Sequence, residues 1–409
     1  TISKKFRAGK MFSSINQKSP QASISISILI IISALTILTF NIGCNDKATN
    51  PIFDPPSPLL ETDSTKKLTV NDFHVSLSQR GLIENGFLKN GNETIWCITL
   101  AGLWIGVENN GDQRANIVIT KAIPYSNFSS KWETKPLGVY SLKSGQSYNS
   151  ENWPVKYGAP VNLDGTPKIY GDEMCWTSLR SDTTTTHSIF SSPIKGLRVT
   201  QAIYGYKKDE LRNVVFIKYG ITNMSSEIWN NVYTGFYSDT DLNDALDNRT
   251  GYDMINSISY TYLRKSNYVT GFSFIETPKN VSILSHRIMR KNNYINEEYG
   301  EYSFNEPLQI FYAFKGLSNY GVRMTNPVTG EKTNFAFTGS PVLNTGWLDV
   351  PVDVRSLLST ETFSLSPGET AWITVAWVIT NDVSLANSLK KLKTQFEEIR
   401  KDASLWKFD

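Results

Sequence analysis

The stretch Asn213–Asn256, NVVFIKYGITNMSSEIWNNVYTGFYSDTDLNDALDNRTGYDMIN, decides the fold. Val214, Phe216 and Lys218 through Ile221 alternate as a strand does, and Trp229 to Tyr237 forms a second apolar-aromatic strand. The short polar segment Asn223-Met-Ser-Ser-Glu227 between them predicts an antiparallel hairpin. The second strand runs directly into Asp239, Asp241, Asn243, Asp244, Asp247, Asn248 and Asp253. A dense set of oxygen donors at the end of a rigid strand suits a hard cation, calcium above all. With Asp239 as first position, Asp241 and Asn243 fall at the third and fifth of an EF-hand loop. The match then fails, because Asp244 stands where Gly belongs and Thr250 where a bidentate Glu belongs. The expectation is a non-EF calcium site built from Asp239, Asp241, Asn243, Asp244, Asp247 and Asp253. The alternative is a solvated turn, since Asp and Asn favour turns on their own.

Outward from this stretch, the N-terminus gives an address. Lys4, Lys5, Arg7, Lys10 and Lys18 precede a largely apolar run from Ala22 to Ile42, and no acidic residue occurs before Asp46. Positive charge, then an apolar run, then small residues is the order of a secretory signal. The run ends Asn41-Ile42-Gly43-Cys44, which resembles the lipobox of bacterial lipoproteins, with Asn41 where Leu is usual. That resemblance implies acylation of Cys44, a membrane partner through the lipid, and a place in the bacterial cell envelope, at the outer membrane or cell surface. The other reading is an uncleaved spanning helix, for which about 20 apolar residues suffice. Residues 44–66, rich in Pro, Ser, Thr and Asp, predict an extended tether behind the signal segment 1–43.

Charge then excludes one class of partner. The chain holds 41 basic and 38 acidic residues; without the five basic residues of the signal the balance is 36 against 38. A near-neutral body lacks the electrostatic footing for nucleic acid. Three Cys are present. With Cys44 assigned to lipid, Cys97 and Cys175 remain, either as a disulfide in an oxidising compartment or as two separately buried thiols. The three His, His74, His187 and His286, have no second His or Cys at ligand spacing, which argues against zinc.

The rest of the chain reads as strands and turns. Leu68–Ser78 alternates, Thr94–Val107 is apolar on both faces and reads as a buried strand pair, and Leu197–Tyr206 is a further strand. Ile258–Leu263 and Val269–Ile275 predict a hairpin around Lys265-Ser266-Asn267, Leu308–Lys315 another strand, and Glu369–Thr380 a long closing strand. Leu385, Leu389, Leu392, Phe396 and Ile399 form the one convincing helical stripe, capped by Asp382 or Ser384. The fold class is therefore mainly β: a large antiparallel β-sandwich, or two packed sandwiches, over residues 67–380. An amphipathic helix and tail at 381–409 lie on the body.

Several pieces together resemble a group of uncharacterised secreted and surface β-rich proteins of Bacteroidota and Ignavibacteria-like bacteria. They are Ala101-Gly-Leu-Trp-Ile-Gly106, Trp153–Pro160 with Asp164-Gly165, Lys168-Ile-Tyr-Gly171-Asp172, Tyr237-Ser-Asp239-Thr-Asp241, Gly339-Ser-Pro341, Thr345-Gly-Trp347 and Leu365-Ser-Pro-Gly368-Glu369. The resemblance implies a secreted β-rich body and no particular activity. Many relatives end in a sorting domain, whereas this chain ends Leu405-Trp-Lys-Phe-Asp409, in keeping with anchoring at Cys44. Functionally, the expectation is a non-enzymatic binding or envelope-structural protein, with a glycan or an envelope protein as partner. Ten Trp and nineteen Tyr supply rings for sugar stacking, although most sit in strand patterns and belong to the core. The alternative is a glycan-active enzyme using carboxylates of the 239–253 loop with Asp172 or Glu173 as acid and base.

Overall fold

The computed structural model describes residues 62–120, 124–133, 135–181, 193–263, 265–290, 298–300 and 307–408. The signal-like run, Cys44, most of the 44–66 tether and His187 lie outside the described residues. In chain order, the two large sheets begin with β1 (Thr62–Asp63), β2 (Thr65–Leu68), β3 (Phe73–Ser78), β4 (Ile83–Asn90), β5 (Glu93–Asn109) and β6 (Asp112–Asn116). They continue with β7 (Phe128–Ser129), β8 (Val139–Lys143), β9 (Glu173–Ser181), β10 (Leu197–Gly205), β11 (Val214–Asn223) and β12 (Trp229–Asp239). The remaining strands are β13 (Asn248–Asp253), β14 (Ile258–Leu263), β15 (Val269–Glu276), β16 (Ile283–Arg290), β17 (Val354–Thr360), β18 (Phe363–Leu365) and β19 (Thr370–Thr380). Two α-helices accompany them, α1 (Pro307–Phe314) and α2 (Leu385–Lys401).

Ten strands form sheet I, in the order β1-β8-β9-β10-β11-β19-β15-β14-β13 with β7 beside β9. Nine form sheet II, in the order β2-β3-β4-β5-β12-β17-β16 with β18 beside β12 and β6 beside β5. The named ladders of both sheets are antiparallel. A single continuous pair of sheets thus accounts for the body, as the alternating patterns require. Phe236 of sheet II meets Phe272 and Trp377 of sheet I at 5.1 and 5.8 Å between ring centroids, fixing the two layers face to face.

Four sequence expectations change at this level. β11 and β12 are not a hairpin: β11 pairs with β10 and β19 in sheet I, and β12 with β5 and β17 in sheet II. The five residues 224–228 form an arch that carries the chain from one sheet to the other. Asn223 organises it, donating to the carbonyls of Glu227 and Leu365 and accepting from the Ser225 amide. The reason lies in burial, since β11 is buried along its whole length and needs a strand on each side. Second, the expected strand pair at Thr94–Val107 is one 17-residue strand, β5, shared by β4 and β12 at opposite ends. Third, most of Leu308–Lys315 is the helix α1; a short, mostly apolar run satisfies either period, and here Pro307 starts a helical turn. Fourth, strands begin at Thr62 and Thr65, so the last residues of the span read as tether form sheet edge.

The helices cover opposite outer faces. On β12 Phe236 points inward, so its neighbour Gly235 points outward, and a Cβ there would lie 3.3 Å from Phe314 of α1. A Cβ at Gly106 of β5 would lie 2.8 Å from the same ring. The two glycines open the seat for α1. α2 lies on the outer face of sheet I, with Leu389, Leu392, Phe396 and Ile399 packed among Ile258, Tyr260, Ala376 and Val378. Ser384 caps it, accepting from the Asn387 amide at 3.2 Å.

Candidate functional site

The acidic loop begins where β12 ends. Asp239 is the last residue of that strand and is fully buried. One of its carboxylate oxygens accepts from Arg355 of β17 at 3.1 Å. The other arm of the same guanidinium donates to Asp353. Asp353 and Arg355 are themselves buried. Asp241, at intermediate exposure, accepts from the Thr99 hydroxyl at 2.5 Å. Carboxylate oxygens of Asp239, Asp241 and Asp353 all lie within 4.8 Å of one another. These three are the acids able to share a cation, and Arg355 already places one positive charge between two of them.

The remaining residues of the expected site do separate jobs. Asn243, in the left-handed region at φ 58°, docks on β5: its side-chain oxygen accepts from the Trp96 amide at 2.9 Å and its own amide donates to the Trp96 carbonyl at 3.0 Å. Asp244 accepts from the Leu246 amide and closes a local turn. Asp247 lies 3.8 Å from Lys265. Asp253 accepts from the amides of Ile255 and Asn256 and pairs with Lys393 of α2 at 2.9 Å. The structure therefore brings together Asp239 and Asp241 of the six and adds Asp353. The signal for Asp353 and Arg355 was present in the sequence: two opposite charges two residues apart at the start of an apolar strand fall on one side of it.

The carboxylates considered for acid–base work do not join this cluster. Asp172 accepts from the Lys207 amide at 2.8 Å. Glu173 is buried, accepts from the Thr69 amide at 2.9 Å and lies 3.4 Å from Lys143. Glu173 starts β9 of sheet I, whereas Asp239 ends β12 of sheet II, and the acids whose carboxylate oxygens converge there are Asp239, Asp241 and Asp353.

Docking of the loop on β5 fixes a second feature. His74, Phe87 and Trp96 occupy directly paired positions on β3, β4 and β5. Their rings lie 5.1 and 5.3 Å apart, tilted 54° and 57°, in a row across the outer face of sheet II. Trp96 is 48% exposed, whereas Ile95 and Cys97 on either side are buried in the core. Asn243 holds the Trp96 backbone. The arrangement offers one large open ring and two partly covered rings. Burial and the Lys89 charge keep the His74 imidazole below its usual range. Strict alternation along Thr94-Ile-Trp-Cys97 was the signal that set Trp96 outward.

Cys97 and Cys175 are both buried and free. The disulfide is not formed, and the separately buried thiols are what the fold contains. The physical reason is placement in different sheets, with Cys97 turned toward the Gly86 carbonyl at 3.4 Å in sheet II and Cys175 on β9 in sheet I. Burial pushes both thiols up, that of Cys175 to about 12.

By architecture this is a two-sheet antiparallel β-sandwich with a helix on each outer face. No family model and no curated protein matches the chain. Among solved structures, the chain is similar to a protein from Escherichia coli K12 described as a putative aldose 1-epimerase, at 9% identity and TM-score 0.34, over 78% of this chain and 99% of that one. A bacterial glucoamylase complexed with acarbose aligns at 9% identity and TM-score 0.39, over 86% of this chain and 38% of that one. A polysaccharide lyase aligns at 10% identity and TM-score 0.32, over 79% and 35%. Likenesses at this level define neither a shared family nor a shared site.

Proposed function

We propose that this protein is a non-enzymatic carbohydrate-binding protein of the bacterial cell envelope, held at the membrane by lipid on Cys44. The saccharide-binding face is the outer surface of sheet II around Trp96. The observation that carries the reading is the placement of Trp96: an open indole whose backbone is held by Asn243 and whose ring is continued by Phe87 and His74. A sugar ring stacks its C–H face on such a ring. A non-catalytic role is supported by the burial of the acid cluster. Asp239 and Asp353 are closed off from solvent and salt-bridged to Arg355, leaving Asp241 as the one cluster carboxylate that reaches a ligand. Hydrolysis of a glycosidic bond by the usual route needs two carboxylates flanking the substrate.

The test is a glycan array followed by titration of the purified protein, wild type against Trp96→Ala. The expected result is binding to a neutral polysaccharide, lost at least tenfold in Trp96→Ala with an unchanged melting temperature. Equal binding by the variant would overturn the site, and release of reducing sugar by the wild type would replace the binding reading by the enzymatic one.

A further inference from the structure

A second concave site lies beyond the edge of sheet II. The chain between α1 and β17 folds outside β16 and joins it by a parallel bridge from His286 to Phe335. Together with residues 298–300 it encloses a cleft of about 640 Å³, within the range of small-ligand sites. Ile288, Met324 and Phe337 form a buried apolar floor. Trp347 lies on one wall, edge-on to Phe337 at 5.3 Å, and Tyr299 lines the cleft as well. Arg290, Arg323 and Lys332 contribute three positive charges to the lining against one negative charge from Glu298.

Both aromatic walls are held in place. The Arg290 amide donates to the Tyr299 carbonyl at 2.9 Å, and the Asn319 amide to the Glu298 carbonyl at 2.8 Å. The Asn319 side chain donates to the Gly300 carbonyl at 3.1 Å. The fully buried guanidinium of Arg287 stands 5.8 Å from the Tyr299 ring. Trp347 is presented by a small hairpin in which Ser340 and Thr345 bridge and the Gly339 amide bonds the Trp347 carbonyl at 2.8 Å. The motifs Gly339-Ser-Pro341 and Thr345-Gly-Trp347 are thus the two sides of one turn.

The cations are only lightly engaged. The Arg323 side chain donates to the side-chain oxygen of Asn334 at 3.1 Å and Lys332 to the Thr325 hydroxyl at 2.8 Å. Among the described residues none of the three lining cations forms a salt bridge. The buried acid Asp349 is drawn electrostatically to Arg290 and Arg249 but is occupied by the amides of Thr250 and Val350. An apolar floor, two fixed rings and a surplus of lightly engaged cations match a ligand that has both a ring face and an anionic group.

We propose that this cleft binds a carboxylate-bearing sugar of the uronic acid class. Its ring lies against Trp347 and Tyr299, and its carboxylate among Arg290, Arg323 and Lys332. The site is separate from the Trp96 face and does not depend on it.

The probe is an oligogalacturonide, titrated by calorimetry into the protein, with its methyl-esterified form and inorganic phosphate as the other arms. The expected result is binding of the acidic form, weakened at least tenfold by esterification and again by raising salt. Arg323→Gln and Lys332→Gln should each weaken it by about tenfold with an unchanged melting temperature. Both side chains are exposed, so these variants remain folded even if Arg290→Gln does not. Trp96→Ala should leave this binding intact, so failure of one site is distinguishable from failure of the other. Equal binding of the ester would overturn the proposal, as would retention of affinity in both cation variants. So would absence of binding at millimolar probe, or inorganic phosphate binding as tightly as the acidic sugar.

Discussion

Arg355 is the residue on which the acid cluster turns, because its guanidinium reaches Asp239 and Asp353 at once from within the sandwich. Removing one member of a buried ion pair strands the others, at a cost of about 3–5 kcal/mol. Arg355→Gln should lower the melting temperature accordingly. If the guanidinium is the cluster's working counter-ion, millimolar calcium leaves the wild-type melt unmoved and restores part of the loss in the variant. A calcium-dependent rise in the wild type would show instead that the three acids take the ion alongside Arg355. A second residue-scale prediction concerns pH. His286 is wholly buried between the Ser259 hydroxyl and the Ala336 carbonyl, and desolvation brings it down to about 4 from 6.5. The unfolded chain takes up this proton first, so the contribution is whole above pH 6.5 and is lost as pH falls toward 4. Asp349 acts oppositely: burial raises it to about 6 from 3.8, so its contribution is whole below pH 3.8 and lost as pH rises through 6. Asp349→Asn should therefore gain stability relative to wild type at pH 7.5 and lose that advantage by pH 4, read from melts at the two values. A difference independent of pH would mean that Asp349 does not titrate in that window.

At the scale of elements, what the sequence disclosed depended on whether the deciding contact was local. The hairpin of β14 and β15, the closing strand β19 and the stripe of α2 follow from period and turn chemistry within a dozen or so residues, and all three form as expected. The arch between β11 and β12 could not be read this way. Both strands are apolar on both faces, and only the placement of β10, β19, β5 and β17 assigns them to different sheets. Similarly, α1 is helical because Gly106 and Gly235, 72 to 208 residues away, leave room for Phe311 and Phe314. Among its own eight residues Gln309 is the one strongly polar position, too little to set a period. The same rule governs the candidate site. The dense acids were visible, and so was the strand they follow. Which of them converge was not, because Asp353 and Arg355 arrive from a strand more than 100 residues later. Asn243 looked like a cation ligand because its oxygen is free in sequence; in the fold a backbone amide of Trp96 takes that oxygen.

For the whole molecule, the C-terminal segment is part of the sandwich. α2 buries Leu389, Leu392, Phe396 and Ile399 against sheet I and ties down three separate regions. Lys393 pairs with Asp253, Gln395 donates to the Glu210 carbonyl, and Arg400 donates to Asn256 and Ser273. Beyond the helix, the Trp406 carbonyl accepts from Lys218, a buried cation of β11 that also pairs with Glu276 at 2.7 Å. Phe408 stacks on Tyr170 at 4.2 Å. A helix with so many ties should unfold together with the sheet it covers. Phe396 is fully buried among these contacts, and truncating such a ring typically costs about 3–5 kcal/mol. Phe396→Ala is thus expected to lower the melting temperature of the whole body in one cooperative transition. Hydrogen exchange should rise together in α2 and in the strands β14, β15 and β19 beneath it. A variant whose helix exchanges fast while the sheets melt as in the wild type would show that α2 is only an appendage, and the C-terminal segment would then be excluded from the folding unit.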